Sequence, residues 1–263
     1  MNKLFRISGL FLIAVMLIGN NLEVRAQNQK SPSANKSKKK GLGCAESHGI
    51  GAKHLTELKV SWYYNWGDQT KITTDVTFIP MIFSPKRLDS KVFGEYILGF
   101  NEPDNEKQAK TSVTDSLKAW PMVESKGKLI GSPAMAGNPV TGDWFPIFMK
   151  TKPKIDFVTV HWYKGIDSKH FIKDMEELYA AYGKPIWVTE FAPQTASSSK
   201  QNPTKFSQPQ VDKFIFTVIE WMEKTPYIHR YAWHDSRAGT SALFDEKGEL
   251  TLTGKTYARA GGR

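Results

Sequence analysis

Apolar and β-branched segments recur along residues 41–234, and a more polar segment follows most of them. Two of the polar segments, 168–181 and 208–224, repeat apolar side chains at the spacing of an amphipathic helix. Nearly continuous apolar strands that alternate with such helices are typical of a parallel sheet covered by helices. The strands are predicted at 41–45, 58–65, 77–83, 96–101, 128–134, 156–163, 185–190 and 227–234.

The number of predicted strands decides the fold class. Eight strands and their connections within residues 41–263 fit an α/β protein of the (β/α)8 TIM-barrel type, folded as a single domain. The strand at 41–45 has the weakest pattern, and an open doubly wound sheet is the alternative if it does not form. A dinucleotide-binding loop is not expected there, because Glu46 stands where the glycine-rich fingerprint needs a small residue.

Residues 1–26 are predicted to be a secretory signal peptide and not part of the fold. Lys3 and Arg6 precede an apolar run at 7–18, and Ala26 ends a suitable cleavage site. The run is shorter than the roughly 20 residues of a membrane-spanning helix, which disfavours the alternative of a retained N-terminal anchor. The expected location is therefore periplasmic or extracellular, as for a secreted protein.

Residues 27–40 are predicted to be a disordered basic linker, because they carry no large apolar side chain that could offset the entropy of ordering them. Residues 1–40 contain eight Lys or Arg and one Glu, so 8 − 1 = +7 of the formal net charge of +10 lies in this part of the chain. The basic composition is therefore no indication of nucleic-acid binding. Cys44 is the only cysteine, which excludes an internal disulfide and predicts a buried thiol.

Polar and aromatic residues gather at the carboxyl ends of the predicted strands, which is where the active sites of (β/α)8 barrels lie. The strands were assigned from their apolar residues, so the clustering at their ends is an independent observation. The residues are Trp62 to Trp66, Asn101 and Glu102, Ser132, His161 to Tyr163, Glu190, and Trp233 to Asp235.

Glu102 and Glu190 are the candidate catalytic residues. They end the fourth and the seventh predicted strand, so a barrel would place them on opposite sides of its mouth. Two carboxylates that face each other across a cleft divide the chemistry when one keeps its proton and the other stays ionised. Glycoside hydrolysis requires this division. The alternative, that each is an ordinary strand-end residue or salt-bridge partner, is disfavoured because both occur together among aromatic residues.

Aromatic side chains near the strand ends favour a sugar as the ligand, because the apolar faces of sugars stack on such rings. Trp66 and Trp233 are the predicted sugar contacts. The alternation of side chains along a strand places His161 and Tyr163 on one face. The same rule turns Trp187 away from Glu190, towards the layer between strands and helices.

Other classes of chemistry lack their signatures. No HExxH sequence or cysteine pair indicates a metal site, and no GxSxG sequence indicates a serine hydrolase. No GxxxxGK[ST] loop indicates a nucleotide ligand. We therefore expect neither a metal nor a cofactor, and no nucleotide or nucleic-acid partner.

Three sequence segments carry a resemblance to a known family. "GFNEPD", "VHWY" and "WVTEFA" resemble the glycoside hydrolases with an asl1-like catalytic core, glycoside hydrolase family 128. The resemblance extends over essentially all of 41–263. It implies a clan A (β/α)8 retaining hydrolase that acts on β-1,3-glucan.

The resemblance also implies roles for individual residues. Glu102 would be the acid/base and Glu190 the nucleophile, while Asn101 would hold the sugar hydroxyl next to the reacting carbon. His161 or Tyr163 would orient the nucleophile or bind substrate. Trp233 would form the floor of the cleft, and Asn65 joins the substrate-binding set as a polar strand-end residue.

The predicted function is therefore that of a secreted, monomeric endo-β-1,3-glucanase that works by double displacement, with the carboxyl groups about 5–5.5 Å apart. Two alternatives stay open at this point. One is a β-glucan-binding protein with the same barrel and no catalysis. The other is a hydrolase of another β-glycan, such as a mannan or β-1,4-glucan.

Overall fold

The computed structural model describes residues 36–195, 197–199, 201–203, 206–234 and 239–262. The predicted signal peptide at 1–26 and most of the predicted linker lie outside these residues.

Eight strands form a parallel β-structure, and each corresponds to one of the predicted strands. They are β1 (Lys40–Gly43), β2 (Trp62–Tyr64), β3 (Thr77–Phe78), β4 (Gly94–Ile97), β5 (Gly127–Ile130), β6 (Val158–Trp162), β7 (Ile186–Phe191) and β8 (Ile228–His234).

The strand order is that of a (β/α)8 barrel. Six strands pair in the order β3-β2-β1-β8-β7-β6, and β4 pairs with β5. Isolated parallel bridges at Met81–Leu98 and Gly131–Phe157 connect the two sheets at β3–β4 and β5–β6. The predicted fold class is confirmed. The alternative of an open sheet is wrong, because β1 forms and pairs with both β2 and β8.

Helices follow most of the strands. They are α1 (Ala52–Glu57), α2 (Val113–Glu124), α3 (Trp144–Lys150), α4 (Ser168–Tyr182), α5 (Gln208–Lys224) and α6 (Leu252–Arg259).

The two helices predicted from periodicity are α4 and α5. Asp167 caps α4 by accepting hydrogen bonds from the backbone N–H groups of Lys169 and His170. Gly183 ends it in the left-handed conformation, with φ of 60°. In the described part of the chain, no helix combines the length and the apolar character needed to cross a membrane.

The core has two layers. Side chains that point into the barrel form one cluster, and those between strands and helices form a larger one that includes the buried Cys44. Gly41 and Gly43 lie on the inner face of β1, where an added Cβ would come within 2.3 Å of the Trp62 ring and 2.9 Å of the Tyr64 ring. The inner cluster is Trp62, Tyr64, Ile79, Met81, Leu98, Phe157, Trp187 and Ala232.

Trp187 corrects the prediction made from strand alternation. It points into the barrel and stacks on Phe157, with ring centroids 4.1 Å apart. Glu190, three residues later, also lies on the inner side, because the pairing of β7 shifts register against β6 and β8. A bulge of this kind changes the face on which later side chains lie, and the simple alternation rule does not include it.

The predicted linker ends earlier than expected. Lys40 begins β1 and is almost fully buried, and its Nζ donates to the carbonyl oxygens of Tyr257, Ala258 and Ala260 at the end of α6. The Nζ of Lys39 donates in the same way to three carbonyl oxygens at the end of α5. These lysines are ordered because they satisfy helix C-terminal carbonyls, which composition alone does not reveal.

Candidate active site

A cavity of about 710 Å³ opens at the carboxyl ends of the strands. Six of the eight predicted site residues line it. They are Trp66, Asn101, Glu102, His161, Tyr163 and Glu190.

Glu190 lies in β7 and is held by three donors from two other strand ends. Its Oε1 accepts hydrogen bonds from the Tyr64 hydroxyl at 2.9 Å and the Trp66 Nε1 at 2.7 Å. Its Oε2 accepts one from the Tyr163 hydroxyl at 2.5 Å. Burial and the neighbouring Glu190 raise the pKa of both tyrosines well above the ordinary value, so both hydroxyls stay protonated and donate.

The surroundings of Glu190 keep it ionised. Burial on its own would raise its pKa, but the charges of His161 and His234 and the hydrogen bonds from Tyr163 and Trp66 outweigh burial and lower the pKa of the Glu190 carboxyl to about 2. A carboxylate that is buried and ionised at neutral pH is able to act as a nucleophile or a base.

Glu102 follows β4 on a turn with unusual backbone geometry. Its φ is 45°, in the left-handed region that residues with a Cβ rarely adopt. Its N–H donates to the Ala134 carbonyl oxygen at 2.7 Å, which ties the turn to the end of β5. The Oε2 of Glu102 accepts a hydrogen bond from the Asn105 side chain at 2.8 Å, and its Oε1 lies 2.9 Å from His161 Nδ1.

His161 lies between the two carboxylates. Its Nε2 is 3.3 Å from Glu190 Oε1. Burial opposes the charge on the imidazole, but Glu190 and Glu102 outweigh burial and raise the pKa of His161. An imidazolium at this position balances negative charge on either glutamate.

The distance between the carboxylates is short. One carboxylate oxygen of Glu102, one of Glu190 and a ring nitrogen of His161 all lie within 4.8 Å of one another. Three such groups are also able to ligate a metal ion. Here His161 directs one nitrogen at each carboxylate, and its raised pKa favours the protonated ring, which has no lone pair for a metal.

Asn101 presents an open acceptor at the cavity. The residue is 3% exposed, and its Nδ2 donates to Gln108 Oε1 at 3.3 Å. Among the described residues its Oδ1 has no hydrogen-bond partner. A buried acceptor without a partner costs free energy unless a ligand supplies the donor, so this oxygen is suited to a substrate hydroxyl.

Two predicted substrate contacts do not line this cavity. Asn65 lies outside the cavity and organises its own loop, because its Nδ2 donates to Glu46 Oε1 and the Gln69 carbonyl oxygen. Trp233 is fully buried, and its Nε1 donates to the Ser241 carbonyl oxygen at 3.0 Å. Its ring faces α6 because the inward position at the end of β8 belongs to the next residue, His234.

Three residues of the site received no role from the sequence. Tyr64 and His234 were available from alternation, because Tyr64 shares the inward face of β2 with Trp62 and His234 follows the outward Trp233. Asn105 gave no signal, because its contact with Glu102 depends on the turn after β4.

The barrel and the paired carboxylates at its mouth are the arrangement of a glycoside hydrolase. Residues 41–257 match the family model described as the glycosyl hydrolase catalytic core, and the chain belongs to this family. At the level of the family, the glycoside hydrolase class expected from the sequence is thereby confirmed, as is the resemblance to the β-1,3-glucanases of glycoside hydrolase family 128.

Known relatives cover the same domain. Alkali-sensitive linkage protein 1 of Schizosaccharomyces pombe is 29% identical over 243 residues, which are 84% of this chain and 44% of that protein. The chain thus spans less than half the length of this curated relative.

The solved structures that are similar to this chain include an enzyme and a binding protein of the same family. A subgroup I endo-β-1,3-glucanase of family 128 from Amycolatopsis mediterranei, a variant in complex with laminarihexaose, has a TM-score of 0.76 and 27% identity, covering 85% of this chain and 99% of that one. A subgroup VII oligosaccharide-binding protein from Trichoderma gamsii has a TM-score of 0.70 and 24% identity, covering 88% and 96%. The second likeness is evidence of the fold alone.

Proposed function

We propose that the protein is a retaining, endo-acting β-1,3-glucanase in which Glu190 is the nucleophile and Glu102 the acid/base. The observation that carries the proposal is the pair of buried carboxylates with oxygens within 4.8 Å of each other. Retaining glycosidases keep their carboxyl groups roughly 5–5.5 Å apart, and inverting enzymes need roughly 6.5–9.5 Å to admit a water molecule. The short distance supports attack by the carboxylate itself.

The surroundings of each glutamate support the division of roles. Glu190 accepts three hydrogen bonds and has a pKa of about 2, so it is ionised before substrate binds. Its carboxylate attacks the anomeric carbon, the bond to the leaving oxygen breaks, and Glu102 gives its proton to that oxygen. Glu102 then takes a proton from water, which attacks the same carbon and releases Glu190 as a carboxylate.

The β-1,3-glucan substrate and the endo action are proposed from the relatives. The Amycolatopsis mediterranei protein is an endo-β-1,3-glucanase crystallised with laminarihexaose, and it is similar to almost the whole described domain of this chain. The open acceptor of Asn101 and the aromatic side chains of Trp66 and Tyr163 at the cavity are suited to a sugar ring and its hydroxyls. We also propose that the mature protein acts as a monomer outside the cytoplasm, after removal of residues 1–26.

A β-glucan-binding protein without catalysis is the second candidate, since the Trichoderma gamsii relative binds oligosaccharide on the same fold. Incubation with laminarin and an assay for reducing ends separates the two, because a binding protein releases none. A panel with β-1,4-glucan and mannan tests the substrate. Early release of mixed oligosaccharides supports endo action, and release of one small product from the start contradicts it.

The matched variant for this assay is Glu190→Ala. We expect it to lose turnover and to keep binding laminarihexaose, because the fold is held by the two core layers and not by this side chain. Turnover that survives the change would disprove the assignment of the nucleophile.

A further inference from the structure

The turn that carries Glu102 continues through Pro103 and Asp104 to Asn105, and the proposed reaction gives no role to the last two residues. Asp104 joins this turn to the loop that follows β5. Its Oδ1 accepts a hydrogen bond from the Ala136 N–H at 2.9 Å, and its Oδ2 accepts one from the Gly137 N–H at 2.8 Å. The backbone N–H of Asn105 donates to the Glu102 carbonyl oxygen at 3.0 Å. The turn is therefore fixed at both ends.

The side chain of Asn105 has one possible orientation in this turn. Its Oδ1 accepts a hydrogen bond from the Lys107 N–H at 3.0 Å, so its Nδ2 must face Glu102 Oε2, to which it donates at 2.8 Å. The hydrogen bond from the Lys107 N–H therefore identifies the carbonyl oxygen of this side chain, and the amide nitrogen must be the atom that faces Glu102.

The carboxyl group of Glu102 is consequently held from two sides. His161 contacts Oε1 from β6, and Asn105 donates to Oε2 from the turn after β4. Contacts at both oxygens fix the rotation of the carboxyl plane. The Asn105 donor is neutral, and its hydrogen bond to a carboxyl oxygen is stronger when that group carries a charge.

From this geometry we infer that Asn105 is a positioning residue for the acid/base. The inference rests on the proposed function, in which Glu102 must be ionised to take a proton from water in the second step. Asn105 orients Glu102 and stabilises its ionised form at that step, while Asp104 keeps the turn in place. Loss of the Asn105 donor should therefore slow hydrolysis of the glycosyl–enzyme more than its formation.

The test uses Asn105→Ala with dinitrophenyl β-laminaribioside, whose leaving group departs without a proton. The first step then needs no acid, and kcat/KM should stay within about threefold of the wild-type value. kcat and KM should fall together by about 10- to 100-fold, because the glycosyl–enzyme accumulates. Azide attacks the anomeric carbon without losing a proton, so it should restore kcat in the variant and change the wild type little.

If Asn105 only supports the local structure, the Asn105→Ala variant has different kinetics. In that case kcat/KM of Asn105→Ala falls together with kcat, and azide does not restore kcat. Either this result or wild-type kinetics of Asn105→Ala would overturn the inference. Glu106→Ala is the matched control, because Glu106 lies next to Asn105 on the same turn and is exposed, paired with Lys110. It should keep wild-type values in every assay.

A second variant covers the case in which Asn105→Ala does not fold. Asn105→Asp keeps the acceptor for the Lys107 N–H and puts a carboxylate in place of the donor to Glu102. Repulsion between the two carboxylates favours the protonated acid, so the basic limb of the pH profile of kcat/KM on laminarin should move up by about one unit. If the basic limb of Asn105→Asp coincides with that of the wild type, residue 105 does not contact Glu102 during catalysis, and the inference is overturned.

Glu102→Gln distinguishes failure of this inference from failure of the proposed function. Full laminarin hydrolysis by Glu102→Gln would remove Glu102 from the acid/base role, whatever the Asn105 variants do. Loss of laminarin hydrolysis in Glu102→Gln, together with wild-type behaviour of both Asn105 variants, would overturn only the role of Asn105.

Discussion

His161 Nε2 lies 3.3 Å from Glu190 Oε1, and both side chains are buried. The other ring nitrogen of His161 lies 2.9 Å from Glu102 Oε1. The imidazolium thus neighbours the carboxylate that loses its charge when the glycosyl–enzyme forms and the one that gains a charge at the same moment. The negative charge moves from Glu190 to Glu102 while the net charge of the pair stays the same, so His161 lies beside the charged carboxylate in both states of the proposed reaction.

This arrangement predicts the pH dependence of a His161→Gln variant. His161 is the largest of the influences that lower the pKa of Glu190, so removing its charge should raise that pKa from about 2. Glu190 must be ionised to attack, and activity is lost as the pH falls through its pKa. The acidic limb of kcat/KM on laminarin should therefore move up by roughly one to three pH units.

The matched control is His170→Gln, because His170 is a half-exposed histidine on α4 that pairs with Asp174 outside the catalytic pair. Its acidic limb should coincide with that of the wild type. An unchanged limb in His161→Gln would mean that His161 does not hold Glu190 in its ionised form.

The two neighbouring tyrosines of β2 allow a paired experiment. Tyr64 donates to Glu190 Oε1 at 2.9 Å, whereas Tyr63 points outward and bonds to the Thr70 hydroxyl. Tyr64→Phe removes one of the three donors that orient the Glu190 carboxylate for attack, so kcat should fall by roughly 10- to 100-fold. Tyr63→Phe should stay within about threefold of the wild type. Equal effects of the two changes would contradict the inward placement of Tyr64.

Lys38, which precedes β1, and Lys40, which begins it, should contribute differently to the free energy of unfolding. Lys40 donates to three carbonyl oxygens at the end of α6, and Lys38 is exposed. Lys40→Met leaves those carbonyls without their donor and should lower the free energy of unfolding by about 1–3 kcal/mol. Lys38→Met should change it by less than about 0.5 kcal/mol. Unfolding in urea measures both, and a Lys40→Met protein as stable as the wild type would show that this segment does not support the barrel.

The fold was predictable because its signals are local. Eight apolar segments and the periodicity of α4 and α5 are visible in the sequence, and burial of those segments on both faces requires a parallel arrangement covered by helices. The positions of Glu102 after the fourth strand and of Glu190 on the seventh follow from the same count. The structure confirms both positions.

The wrong or missing predictions concern features that depend on contacts between distant parts of the chain or on local backbone irregularities. Trp187 lies inside the barrel because β7 shifts register, and Trp233 lies outside because His234 takes the inward position. Lys40 is ordered through contacts with residues more than 200 positions away in sequence. Asn105 reaches Glu102 through a turn with a left-handed residue, which no residue type in the sequence indicates.

The most direct test of the central claim is to trap the covalent intermediate. A laminaribiosyl fluoride with fluorine in place of the sugar 2-hydroxyl forms the glycosyl–enzyme but slows its hydrolysis, because fluorine destabilises the oxocarbenium-like transition state. Peptide mass spectrometry of the trapped protein should place one fluorinated laminaribiosyl group on Glu190, and Glu190→Ala should remain unlabelled. A label on Glu102, or the absence of any label together with inverted products in the hydrolysis of laminarin, would contradict the proposed mechanism.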